Sequence, residues 1–158
     1  MFCSRLRVLF IPAIVLVLLP AGCTRQLAPA VERVAVLPFE NLGSDAALNW
    51  VSHAAAAAVV YDLAGAKNTY AQIVDSLAVA EPMQASRALE GYFFERNGRL
   101  EVRASVEDLS TSKTLENLSF SGPAASGFVP LMNQLALALS AEARPFGTNS
   151  PDAFRLWG

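Results

Sequence analysis

The chain has 158 residues, of which 53% are hydrophobic, a formal net charge of −2 and a mean hydropathy of +0.35. Twelve Lys and Arg against 14 Asp and Glu argue against a nucleic-acid or anionic-lipid surface, and the length leaves no room for a second large domain. The two cysteines, Cys3 and Cys23, are too few for a disulfide framework or a cysteine metal site.

The amino-terminal segment reads as a lipoprotein signal. Arg5 and Arg7 form a cationic start, Val8 to Leu19 an apolar core, and the small pair Ala21-Gly22 admits a peptidase at the bond between Gly22 and Cys23. Two other readings compete. An uncleaved membrane span is disfavoured because Val8 to Gly22 falls short of the roughly 20 residues that cross a bilayer, and Pro12 and Pro20 interrupt it. Ordinary secretory cleavage at Ala28-Pro29-Ala30 has small residues at the right spacing, with a proline between them. Against the favoured reading, Pro20 stands where a leucine is usual, the leucine being displaced to Leu19, and Cys23 has a bland reading as a chance residue of an apolar leader. Removing residues 1–22 from 158 leaves 136, one domain's worth, and takes Arg5 and Arg7 from the 12 cations, so that 10 face 14 acids and the charge falls near −4. Cys23 then becomes an acylated terminus tied to a membrane, and residues 23–31 a short tether.

Folded structure is expected from Glu32. Val34-Ala35-Val36-Leu37 is a continuous apolar run closed by Pro38, as in a strand buried on both faces. Asn41 to Asp45 supply turn and cap residues, with Ser44 or Asp45 as helix cap. A helix is predicted over Ala46 to Ala64, with Leu48, Val51, Ala55, Ala58 or Val59 and Leu63 on one face, Gly65 as its stop, and Ala54 to Ala58 allowing close approach to a sheet. His53, the lone histidine, has no evident partner for catalysis or metal binding and reads as an exposed or hydrogen-bonded helix residue.

Thr69 to Val74 is a second strand, followed by a weakly patterned stretch with a short helix expected near Pro82 to Ser86. Leu89 to Arg96, the Asn97-Gly98 turn and Arg99 to Leu109 form the sharpest local pattern, an antiparallel hairpin. The two-residue turn sets Phe93 opposite Val102, Gly91 opposite Ala104 and Leu89 opposite Val106, all facing a core. Tyr92, Phe94, Glu101, Arg103 and Glu107 lie on the other surface. A strand over Thr114 to Phe120 completes a three-strand meander, Gly122 to Gly127 a loop, and Phe128 to Ala143 a helix through Leu131, Leu135, Ala138 or Leu139 and Glu142, with Pro130 in its first turn and Pro145 as its end. The fold class is α/β: a mixed sheet of about five strands with an antiparallel three-strand meander, flanked by two main helices.

Val34-Ala35-Val36-Leu37-Pro38-Phe39-Glu40-Asn41-Leu42-Gly43-Ser44-Asp45, with the helix after it, resembles the opening of the TolB-like amino-terminal domain, seen also in FlgO-type and CsgG-type envelope lipoproteins. Leu89-Glu90-Gly91, the turn Arg96-Asn97-Gly98-Arg99 and the strand ending Val106-Glu107-Asp108 resemble that family's later strand pair. The resemblance spans Glu32 to about Arg144 and departs at Asp75 to Arg87, which is shorter and contains Pro82 where relatives carry a more regular helix. The tail, residues 145–158, resembles in Ser150 to Gly158 the start of the helical repeats that follow the domain in relatives, so the chain is expected to be either a terminal remnant or, by preference, a piece of a longer frame.

The resemblance implies a noncatalytic envelope lipoprotein at the periplasmic face of a membrane, acting on protein partners in assembly, as activator of a peptidoglycan synthase in the LpoB group, or as the anchor of a repeat scaffold. Thr24 lacks the aspartate of inner-membrane retention, which by the same resemblance favours the outer membrane. Tyr92 and Phe94 are the candidate contact residues, unless a helix covers that face. An enzyme is the competing class. Its available carboxylates are Glu40, Asp45, Glu107 and Asp108, but Glu107 and Asp108 are adjacent on a strand and point oppositely, and Asp108 reads as a turn initiator. Pro38-Phe39-Glu40 stand where a phosphate-binding glycine loop would follow Leu37. No catalytic residue, metal site or cofactor is therefore assigned, and no nucleic-acid partner.

Overall fold

The structure, a computed structural model, describes residues 30–145. The signal segment with Gly22, the lipidation candidate Cys23 and the tail from Phe146 lie outside the described residues. Six strands form one mixed sheet: β1 (Glu32–Val36), β2 (Glu40–Asn41), β3 (Thr69–Ile73), β4 (Arg87–Arg96), β5 (Arg99–Asp108) and β6 (Lys113–Pro123), in the order β3-β1-β4-β5-β6 with β2 beside β4. β1 pairs in parallel with β3 and β4, and β4-β5-β6 is the expected antiparallel meander. The α-helices are α1 (Val51–Leu63), the short α2 (Leu77–Ala80) and α3 (Val129–Leu139).

The hairpin register is as read: Phe93 opposite Val102, Gly91 opposite Ala104, Leu89 opposite Val106. Asn97 and Gly98 take φ of 54° and 71°, the paired positive values that let a two-residue turn match the strands' twist. Those side chains join Val34, Val36 and Phe39 in one core with Val51, Ala55, Ala56, Val59 and Leu63 of α1 and Leu131, Met132, Leu135 and Ala136 of α3. The alanines act as foreseen, Ala55 and Ala56 being almost wholly buried. Gly91 lets Phe39 lie against β4: a Cβ there would stand 2.6 Å from the ring's Cδ1 and 2.9 Å from the Arg103 carbonyl oxygen. Across β1, Ala35, Val74 and Ala80 form a smaller cluster with Leu37, Met83, Ala85 and Leu109.

Several boundaries differ from expectation, among them the end of β6, which runs to Pro123 past the expected Phe120 and leads into a 3-10 turn at Ala124–Ser126 within the expected loop. The helix predicted from Ala46 is two pieces, a 3-10 turn at Ala46–Leu48 and α1 from Val51. Asn41 explains the break, its Nδ2 donating to the Asp45 carbonyl (3.0 Å) and to Asn49 Oδ1 (2.8 Å), which clamps the intervening turn. The short helix lies before Pro82 rather than after it: Glu81 still has helical backbone (φ −63°, ψ −51°), and the turn that follows closes at Gln84, whose positive φ of 56° stops any helix from running on to Ser86. α3 ends at Leu139, well ahead of Pro145, because Ser140 is extended (φ −152°, ψ 121°) and the chain then crosses to α1, where Arg144 N–H donates to the Asp62 carbonyl at 2.8 Å. Glu142 is thus no helix-face residue; its Oε2 accepts from Lys67 N–H at 2.8 Å. Finally, Pro38 does not end the pairing: Leu37 N–H donates to Leu89 O and Leu42 N–H to Phe93 O, each at 2.9 Å, and β2 resumes alongside β4 between them.

Candidate functional site

α1 and α3 both pack on the Phe93 face of the sheet, and α2 stands over the β1 end of the other. The other face of the β4-β5-β6 meander is left to solvent. Strand alternation assigns its residues: Glu90, Tyr92 and Phe94 on β4, opposite Ser105, Arg103 and Glu101 on β5, which in turn face Asn117, Ser119 and Ser121 on β6. Tyr92 and Phe94, two residues apart on one strand, stack with ring centroids 6.5 Å apart and planes inclined by 19°. Both are half-buried, and neither of the main helices covers them. Beside Tyr92 the sheet forms a shallow trough of about 520 Å³, lined by Glu90, Arg103, Ser105, Asn117 and Ser119. Arg103 lies 3.9 Å from Glu101 with its side chain half in water, so the pair adds little stability and leaves the guanidinium available.

The other singled-out residues are scattered. His53 is exposed on α1. Asp45 Oδ1 accepts from Ala47 N–H at 2.9 Å, a cap of the 3-10 turn. Glu40 is exposed on β2. Asp108 initiates the β5-β6 turn: its Oδ1 accepts from Ser110 Oγ (2.6 Å), Ser110 N–H (2.8 Å) and Thr111 N–H (3.1 Å). These bonds, the Ser110 hydroxyl's first, hold the Asp108 carboxyl below its ordinary 3.8, as expected when donors stabilise the charged form. Glu107 precedes it on β5 at the strand's irregularity, where a register shift falls between Val106 and Glu107. Among the described residues no three His, Cys, Asp or Glu side chains gather as a metal site would require, and no helix is long and apolar enough to cross a membrane.

One surface went unread. At the hairpin-tip end, Leu48, Trp50, Val51, Phe93, Leu100 and Phe128 line an apolar groove of about 250 Å³. Trp50 is 62% exposed and stands edge-on to Phe128, centroids 5.6 Å apart at 74°. The available signal was a tryptophan one residue before an apolar helix; finding the groove required knowing that Phe128 arrives beside it from 78 residues away.

No protein-family model matches this chain, and no curated protein does. Among solved structures it is similar to a single-substitution variant of PelC from Paraburkholderia phytofirmans, a dodecamer, at 18% identity over 73% of this chain and 93% of that one, with a TM-score of 0.53. It is also similar to TolB from Acinetobacter baumannii (15% identity, 70% of this chain, 29% of that one, TM-score 0.47) and to the LpoB C-terminal domain from Salmonella enterica (10% identity, 62% and 87%, TM-score 0.44). The PelC likeness establishes a shared fold and nothing of role.

Proposed function

We propose that this chain is a noncatalytic envelope lipoprotein, held by an acylated Cys23 at the periplasmic face of the outer membrane, that works as an assembly module. The observation that carries the reading is the free face of the β4-β5-β6 meander, with stacked, half-exposed Tyr92 and Phe94 beside an accessible Arg103. Aromatic residues and arginine are the side chains that most often anchor protein interfaces, so this face is the contact surface for a protein partner. The lipoprotein signal supports the location, and Thr24 after the cysteine favours the outer membrane. Three acyl chains on a mature lipoprotein cysteine give durable attachment where one gives weak attachment. The shared fold with PelC, which is a dodecamer, supports self-assembly as part of the same role.

The test is acyl labelling of the wild type beside Cys23→Ala, with membrane fractionation and sizing in detergent. Labelling lost in Cys23→Ala, outer-membrane recovery of the wild type and a mass above one chain are expected. Equal labelling of both, or a monomer at all concentrations, removes the anchored or the self-assembling half of the reading respectively.

A further inference from the structure

The outer surface of the layer formed by α1 and α3 carries no charged side chain from either helix. Neither α1 nor α3 contains a Lys, Arg or Glu, and their one Asp, Asp62, is fully buried. What the layer shows to water is His53, Tyr61, Pro130, Gln134, Leu137 and Ala138, with half-buried Ala57 and Ala58 between, and Tyr61 and Leu137 are 61% and 43% exposed. A surface helix ordinarily carries charged or polar residues opposite its apolar stripe, and a face this poor in charge is cheap to cover. The nearby loops do carry charges, among them exposed Lys67, Glu142 and Arg144.

We infer that two copies of the chain pair through this face, helix layer against helix layer. The inference deepens the self-assembly reading above and rests on it. Charge selects the occupant. Two copies of an uncharged face meet without stripping water from an unpaired ion, a step that costs several kcal/mol per ion. The free sheet face of a second copy is a poorer match, because Glu90, Glu101 and Arg103 would be pressed against groups unable to pair with them.

Direction agrees. α1 leads from β2, beside Tyr92 and Phe93, back to the start of β3; α3 leads from Pro123, opposite Arg99 at the hairpin tip, back to Arg144 beside Gly65. Both helices therefore run toward the end where Ala30 enters the domain. A two-fold axis along them leaves both entry points on one side, as two anchors in one bilayer require. Size sets the strength. At 1.5 Å per residue and about 10 Å of width each, the helices offer a footprint of roughly 20 by 20 Å, about 800 Å² over both partners, which is below the roughly 1,000 Å² of a stable interface and in the range of transient ones. Pairing should be weak in dilute solution and strengthened by the effective concentration of a shared membrane.

The experiment uses the full chain in native membranes with a photo-crosslinking residue at Leu137 and, separately, at Ser119 on the free sheet face. A product of twice the chain mass from Leu137 and not from Ser119 is expected. Leu137→Glu combined with Ala138→Glu should weaken self-association at least tenfold, with the melting temperature unchanged. Adducts from Leu137 of any other mass, or none, overturn the inference, and this readout stands even if the charged variant misfolds. Assembly that persists with twofold-mass products from Ser119 alone refutes the helix face and leaves the self-assembly reading intact; a wild type monomeric in membranes refutes both.

Discussion

Gly91 and Asp108 show how single side chains set local structure. At Gly91, any Cβ would enter the space of the Phe39 ring, which is itself 1% exposed and hemmed by the core, and of the Arg103 carbonyl. Gly91→Ala should therefore destabilise the fold by about 1–3 kcal/mol, the usual cost of overpacking, read as a lower midpoint in denaturant unfolding with unchanged slope. At Asp108 the folded-state pKa is depressed, so the turn's contribution is complete above the ordinary carboxylate range and is lost as pH falls through the depressed value. A carboxyl carbon NMR titration should give a midpoint for Asp108 below 3.8, and Ser110→Ala should move it upward, since the Ser110 hydroxyl is the largest cause. A midpoint at or above the ordinary value would contradict the three donors seen there.

The elements differ in how far sequence alone reveals them. The β4-β5 hairpin was legible to the residue because its information is local: alternation fixes the faces and Asn97-Gly98 fixes the turn. The break before α1 was not legible, since Ala46 to Leu48 have good helix propensity and the clamp comes from Asn41, outside the segment. Likewise α3 stops four residues before its last helix-compatible residue, Ala143, because Arg144 is drawn to the end of α1. Asn41→Ala should release the clamp at a cost of about 1 kcal/mol, typical for a lost hydrogen bond, and hydrogen exchange at the Ala47 and Asn49 amides should quicken while that in α1 beyond its first turn is unchanged. Protection lost throughout α1 would mean that Asn41 supports the helix itself.

For the whole molecule, alternation placed Tyr92 and Phe94 correctly on the surface away from Phe93, but whether a helix covers them depended on layer assignment. The β1-α1-β3 and β6-α3 connections each admit either side of the sheet in a sequence reading; the structure puts both on one side. The Trp50 groove was invisible for the same reason, being made by three segments that converge only in the fold. Because Tyr92 and Phe94 lie outside the main core, Tyr92→Ala with Phe94→Ala should change stability by no more than about 1 kcal/mol while abolishing partner capture by a crosslinker at Ser119. Melting shifted well beyond that would reassign the pair to structural support.

Since Ala55 and Ala56 are buried almost completely in the core that α1 shares with the sheet and α3, the helix has no slack at its middle. Larger side chains there act as wedges under a short rigid rod, and a rod tilted at its middle swings most at its ends. Trp50 rides on one of those ends, so the shape of the tryptophan groove is tied to two alanines that never line it.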